Sequence, residues 1–329
     1  MKINFLTIGT SWITEEFIHT AKMIPEFHLY AVYSRNKTKA AAFAKKHGAE
    51  KFYDSLEEAA ADPEINSVYI ASPNALHCGQ ALRFLNAKKN VLCEKPMASN
   101  LREAKKMVNA AKASGVLLEE AYKPAALPAF AEMKKNLKEL GTIRSVYFEF
   151  SKYSSRYDAH KRGEPVNTFK NQFSNGALLD LGIYSLMPML HLFGKPKQIR
   201  ALANIIPGGV DGTGGMILQY EDFIATAMFS KISTSYLPCQ IQGEKATMLI
   251  DKINIPEKIE IIYANGEEKI IKPPQRKESM FDEIADFITC AAEGKTESEI
   301  NPLFLSLASA EITDEARRQF GLSYPADYE

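Results

Sequence analysis

The sequence predicts an α/β fold in two parts. A doubly wound parallel sheet covers residues 1–122, and an α+β domain with an open, mostly antiparallel sheet covers 123–329. Three observations lead there. A chain of 329 residues is too long for one ordinary core. Its first 120 residues alternate short apolar runs with helical stretches, as strands joined by crossover helices do. Beyond residue 125 the apolar pattern changes to period two, with turn residues between the runs, as in hairpins.

The first strand, 3–8, is an apolar run of the kind buried on both faces of a parallel sheet, and Gly9 closes it. A helix follows over 12–23. The cycle repeats as strand 29–33 and helix 37–46, then strand 51–53 and a helix opened by Asp54, with Glu57 completing a capping pattern. Strands 67–71 and 90–93 each precede a helix, the second capped by Asn100 with Glu103 three residues on, and 116–118 reads as a sixth strand. Parallel strands with right-handed crossovers imply a dinucleotide-binding domain. In the second part, 143–152 alternates Val146, Phe148 and Phe150 with smaller or polar side chains. Runs at 198–206, 215–220, 223–232, 246–250, 258–263 and 269–271 follow, separated by turns such as Gly208-Gly209 and Asn265-Gly266. Stretches 281–292 and 303–320 read as closing helices.

Forty basic and forty acidic side chains cancel, so no net field selects nucleic acid or an anionic membrane, and a small molecule is the expected ligand. Glu15 and Glu16 follow the first apolar run too soon for a signal peptide, and no run approaches the roughly 20 apolar residues of a membrane span. Cys78, Cys93, Cys239 and Cys290 are scattered, as expected for reduced thiols in a cytoplasmic protein, and the histidines show no metal spacing, so no metal is expected.

Two segments carry the parts of a proton-transfer site: the apolar strand ending in Cys93-Glu94-Lys95-Pro96, and Asp180-Leu181-Gly182-Ile183-Tyr184, which sets an acid and a phenol four residues apart on a helix. Lys95 follows the carboxyl end of a parallel strand, where ligands bind in such sheets. Gly9-Thr10-Ser11-Trp12-Ile13-Thr14 keeps only the first glycine of a dinucleotide fingerprint. Ser11 and Thr14 are small enough for a pyrophosphate to approach, although an ordinary strand-to-helix turn gives the same pattern. After the second strand, Ser34-Arg35-Asn36 carries no acid for a ribose hydroxyl. Arg35 can pair with a 2′-phosphate that Ser34 and Asn36 hydrogen-bond, which favours NADP over NAD; the alternative is a solvated surface arginine.

These segments, with Ser72-Pro73-Asn74-Ala75-Leu76-His77 and Gly176-Ala177-Leu178-Leu179-Asp180, resemble the glucose-fructose oxidoreductase and inositol dehydrogenase family, Gfo/Idh/MocA, over essentially the whole chain. The family usually has His where this chain has Tyr184. A branch similar to dimeric dihydrodiol dehydrogenase and NADP-linked xylose dehydrogenase has Tyr, and the chain resembles that branch.

The resemblance implies a Rossmann domain and hydride exchange between NADP and a sugar, polyol or cyclic diol, with Lys95 and Tyr184 flanking the reacting carbon–oxygen bond. A phenol of ordinary pKa about 10 needs help to act as a base near neutral pH, and a nearby ammonium supplies it. Asp180 would orient Lys95 or hold a substrate hydroxyl, or simply cap its helix. Gly9, Thr10, Ser11, Trp12, Ile13, Ser34, Arg35, Ser72, Pro73, Asn74, His77, Glu94 and Lys95 are the expected cofactor residues. His77 is expected to support the site rather than to catalyse.

The polar loop with Tyr153, Arg156, Asn171 and Phe173 reads as a substrate lid or a dimer contact. Relatives pair through the open face of the second sheet, so a homodimer or homotetramer is expected, with Ile224, Ala227 and Phe229 as interface residues. A nucleotide-bound regulator, or a hydrolase or lyase that recycles a tightly held cofactor, are the alternative functions.

Overall fold

The computed structural model describes residues 2–329, which form two compact units. Of the described residues, the first comprises 2–123 with 278–307, the second 124–277 with 308–329. The sequence reading places 123–329 in one domain, whereas 278–307 groups with the first compact unit. The cause is packing. Helix Phe281–Ala292 presents Ile284, Phe287 and Ile288 to the cluster around Phe5 and Phe17, with the Phe5 and Phe287 rings 5.9 Å apart.

In the first unit the strands are β1 Ile3–Ile8, β2 Phe27–Tyr33, β3 Lys51–Tyr53, β4 Ser67–Ile70, β5 Asn90–Glu94 and β6 Leu118–Ala121. They form an all-parallel sheet in the order β3-β2-β1-β4-β5-β6. The crossover helices are α1 Trp12–Ala21, α2 Lys37–His47, α3 Leu56–Ala61, α4 His77–Asn86 and α5 Leu101–Ser114. Strand order reverses between β1 and β4, which opens a crevice at their carboxyl ends. Two local expectations shift. Ser55, not Asp54, caps α3, its hydroxyl accepting from the Glu58 amide at 3.2 Å. The sixth strand begins at Leu118 instead of 116. Asn100 caps α5 as expected, accepting from the Glu103 amide at 2.9 Å.

The second unit holds α6 Pro128–Asn136, α7 Tyr157–Lys161 and α8 Ile183–Phe193. Its strands are β7 Ile143–Ser151, β8 Gln198–Ile206, β9 Val210–Gln219, β10 Ile224–Ser230, β11 Cys239–Gly243, β12 Ala246–Ile250, β13 Ile259–Tyr263 and β14 Glu268–Ile271. The order is β14-β13-β12-β11-β7-β10-β9-β8, antiparallel except for the central β7–β10 pair. Consecutive hairpins do not predict that pair; it forms because the chain makes a long excursion after β7 and returns beside it. The sequence pattern also passed over β11, in which only Cys239 and Ile241 are inward-facing apolar residues between glutamines. Residues 171–193 are long and apolar enough, by length and composition alone, to cross a membrane, but 67% of the most apolar window is buried. It is a core segment of this unit.

On β10, Ala227 and Phe229 are buried, whereas Ile224 and Met228 point outward. Side chains two apart share a face, so Ala227 and Phe229 cannot join Ile224 at an interface. That part of the expected interface is corrected: the outward face carries Leu202, Ile217, Ile224 and Met228.

Candidate functional site

Gly9 ends β1 at φ +115°, and a Cβ there would lie 2.7 Å from the Ala71 carbonyl oxygen. Only glycine lets the turn run this close to the end of β4. The chain then passes through Thr10 and Ser11 into α1. These residues form one wall of a groove of about 540 Å³ at the carboxyl ends of the strands. The second wall comes from the β2–α2 turn, with Ser34, Arg35, Asn36 and Lys39, and the third from Ser72, Pro73 and Gln80 after β4. Trp12, 72% exposed, and Ile13, which leans on the core, lie outside this lining.

The groove is polar where the charges sit. The Asn36 side-chain carbonyl caps α2, accepting from the Lys39 amide at 2.9 Å, and the Ser34 hydroxyl accepts from the Asn36 amide at 3.3 Å. That geometry sets the exposed Arg35 and Lys39 side chains on the same rim. The sequence reading passed over Lys39, although a cation one turn beyond Arg35 in a newly capped helix was the available signal. On the opposite wall Ser72 donates to Gln80 at 2.7 Å. Asn74 opens a single 3₁₀ turn before α4.

His77 is buried, and its ring nitrogens face the carbonyls of Pro96 at 2.9 Å and Ser72 at 2.8 Å. Burial lowers its pKa despite these two acceptors. The ring therefore ties the Glu-Lys-Pro segment to the β4–α4 turn. The Lys95-Pro96 peptide bond is cis. Beneath it the Met97 amide donates to Glu120 at 2.9 Å, and the Ser99 amide to Glu103 at 2.9 Å. Glu94 accepts from the Tyr69 hydroxyl at 2.6 Å; burial raises its pKa, and the Tyr69 bond, Lys95 and Lys123 oppose the rise.

Lys123, also missed in the sequence, follows β6 next to this strand end and donates to the Ser279 hydroxyl at 3.1 Å. Burial lowers its pKa, Glu283 and Glu94 attract its charge, and Lys95 repels it. Two lysines thus leave adjacent strand ends within reach of each other's field.

In the second unit the Gly176–Tyr184 segment is shaped by Asp211. The Leu178 amide donates to its carboxylate at 2.6 Å, and any Cβ on Gly176 would fall 1.9 Å from its other oxygen. Burial pushes the Asp211 carboxyl up to about 6, against backbone donors and the charge of Lys231. A π-helical turn, Leu178–Gly182, then leads into α8. It carries Asp180, whose carboxylate pairs with Lys231 at 2.8 Å. Tyr184 follows at the start of α8, half-buried and edge-on to Phe150 at 5.2 Å. Lys231 directly follows the apolar β10 run, and its charge at the end of a buried strand was the signal that sequence reading did not use.

The loop residues fare unevenly. Tyr153 donates to Asp158 at 2.7 Å and stands edge-on to Tyr157. Arg156 is exposed. The Asn171 amide is committed to the carbonyls of Gly209 and Ser323, each at 2.8 Å, and Phe173 is half-buried in the same turn.

A parallel sheet with a polar groove of about 540 Å³ at its switch point, followed by a mixed sheet against which a π-helical turn and α8 present an acid and a phenol, is the architecture of a dinucleotide-binding enzyme. The comparisons specify the family. Residues 3–122 match the model of the Gfo/Idh/MocA oxidoreductase family with an NAD-binding Rossmann fold, and 130–249 match that family's C-terminal domain. The chain belongs to the Gfo/Idh/MocA family and is an oxidoreductase with an NAD(P)-binding Rossmann fold.

It is 49% identical over 325 residues, 99% of each chain, to scyllo-inositol 2-dehydrogenase (NADP(+)) of Bacillus subtilis (strain 168). It is 33% identical over 343 residues, again 99% of each, to trans-1,2-dihydrobenzene-1,2-diol dehydrogenase of Mus musculus. Among solved structures, a 3-ketoreductase from Actinomadura kijaniata, in complex with NADP and TDP-benzene, shares the fold at a TM-score of 0.87 and 20% identity, covering 97% of this chain and 98% of that one.

Proposed function

We propose that the protein is an NADP-dependent dehydrogenase of a cyclic polyol or sugar hydroxyl, with Tyr184 as general acid/base assisted by Lys95. The observation that carries this reading is the end-to-end likeness, at 49% identity, to a scyllo-inositol 2-dehydrogenase that uses NADP. The groove fits the cofactor. Gly9, Thr10 and Ser11 offer a backbone cradle before α1, and Arg35 and Lys39 place two cations where a 2′-phosphate would be held, with no acid between them.

When bound, the nicotinamide accepts or delivers the hydride. The protein's own residues handle the proton. In oxidation the Tyr184 phenol oxygen takes the substrate hydroxyl proton, and in reduction it returns that proton to the alkoxide. Lys95 supplies positive charge that favours phenolate and stabilises the alkoxide. Asp180 accepts a second substrate hydroxyl. Tyr69, Glu120 and His77 hold the Glu-Lys-Pro segment and the residue after it in place.

The reading extends to assembly. Leu202 is 79% exposed, and with Ile217, Ile224 and Met228 it forms an apolar outward sheet face that suits a homodimer or homotetramer. Four buried, unpaired cysteines agree with a cytoplasmic setting.

The test is a spectrophotometric screen of inositols, other sugars and polyols, and trans-dihydrodiols with NADP and NAD in parallel. Bulk NADP reduction with an inositol is expected. Cofactor that co-purifies and never turns over with any of these substrates would overturn the reading in favour of a recycled cofactor.

A further inference from the structure

We propose that Lys231 is a positioning residue that joins Asp180 and the 153–175 loop into one assembly, so that the loop is ordered on the reaction centre only while the Lys231–Asp180 pair is made. This rests on the reading above, in which Asp180 meets the substrate.

The side chain of Lys231 is 4% exposed, and a buried ammonium needs both a counter-charge and hydrogen-bond acceptors. Each of its contacts leads to a different part of the site. The ammonium reaches the Asp180 carboxylate at 2.8 Å and the Thr168 carbonyl at 3.3 Å, and it lies 5.1 Å from the centre of the Phe169 ring. Its backbone carbonyl accepts from the Ser154 amide at 2.9 Å, and its own amide donates to the Gly212 carbonyl at 2.8 Å. One residue therefore holds the start of the loop, its return, the edge of β9 and the acid of the π-helical turn.

Asp180 is placed to transmit this. Its side chain is 40% exposed even though Lys231 holds the carboxylate, so the acid lies at the surface of its segment while its charge partner is buried. A substrate hydroxyl that engages Asp180 meets a group whose orientation depends on the loop, and loosening either partner loosens the other. The loop has other anchors, among them the Asn171 side-chain bonds, the Tyr153 amide donating to the Thr234 hydroxyl at 3.1 Å and the Tyr324 hydroxyl donating to the Asn175 carbonyl at 2.9 Å, but these are neutral and do not replace the charge.

The experiment is hydrogen exchange of the full-length, NADP-loaded protein, read by mass spectrometry, alongside steady-state kinetics. In Lys231→Met, peptides from 153–175 are expected to exchange roughly tenfold faster or more, with those from β12 and β13 unchanged. KM is expected to rise more than kcat falls. Lys231→Arg, which keeps the charge, should recover most of both. Asp180→Asn keeps the shape, removes the counter-charge and should loosen the same peptides, which tests the coupling even if Lys231→Met does not fold. Unchanged exchange at 153–175 in Asp180→Asn, or an equal rise across every strand, would overturn the proposal. Loop loosening in Asp180→Asn with turnover unaffected would uphold the coupling and instead sink the assignment of Asp180 to the reaction centre.

Discussion

The cofactor groove and the Asp180–Tyr184 segment are built on opposite principles. Every wall of the groove is a turn between a strand and the next helix, so its residues are neighbours in sequence: Gly9 to Ser11, Ser34 to Lys39, Ser72 to Gln80. The Asp180–Tyr184 segment is held by residues far along the chain, Asp211 fixing its entry and Lys231 its acid. Local turn chemistry thus makes the first site, and long-range burial of charge makes the second. The groove should tolerate change in one wall without collapse of the others, whereas the second site should fail as a unit.

The largest expected effect tests whether the second site is the chemical one. Tyr184→Phe keeps the ring against Phe150 and deletes the only proton the proposed mechanism transfers. Turnover should fall by roughly 10²–10⁴ with NADP affinity little changed. Lys95→Ala should cost at least as much, and the two losses should be far from additive because both groups serve one proton transfer. A Tyr184→Phe protein with most of its turnover would leave Lys95 as the proton donor and undo the contrast.

How much of this was legible in the sequence follows the same division. The parallel sheet, the Asn100 cap and the groove residues Gly9, Ser34 and Arg35 come from local pattern, because alternation of strand and helix and the chemistry of turns act within a few residues. What stayed hidden is non-local. Pairing of β7 with β10 depends on a return after a long excursion. Helix 281–292 packs against β1 and α1 although it lies at the other end of the chain. Lys123 and Lys231 are unremarkable residues after a strand until the fold brings Glu283 to one and Asp180 to the other. Motif reading names the groups that touch a ligand more readily than the charges that hold those groups in place.

A smaller effect probes the long-range half through stability. The Asp211 carboxyl, held near 6 in the folded protein, titrates near 3.9 when unfolded. Its folded pKa is the higher one, so the native state binds the extra proton between about pH 4 and 6, and stability falls as pH rises through that window. A gap of about 2 units corresponds to roughly 3 kcal/mol at most. Asp211→Asn has no such titration. Its stability relative to the wild type, followed by thermal denaturation, should improve steadily from pH 4 to 6 and then level off. A difference flat across that range would mean that the carboxylate is no more expensive to ionise in the fold than in water.

The smallest effect belongs to the groove, and it sharpens the claim that its walls act separately. Pairing Arg35 with a 2′-phosphate should be worth about 1.5–3 kcal/mol, or roughly tenfold to a hundredfold in affinity for NADP over NAD. Lys39 lines the same wall, and its ammonium, a point charge without the planar fork of a guanidinium, should contribute less. Arg35→Asp should therefore reverse the preference, since a carboxylate repels the phosphate and accepts from ribose hydroxyls. Lys39→Ala should narrow the preference without reversing it. Neither change should alter turnover at saturating cofactor, because Gly9 to Ser11 and Ser72 to Gln80 are held by their own turns. Titration by fluorescence of both nucleotides against wild type and variants measures this, and equal binding of NAD and NADP by the wild type would show that the Arg35 wall does not select the cofactor.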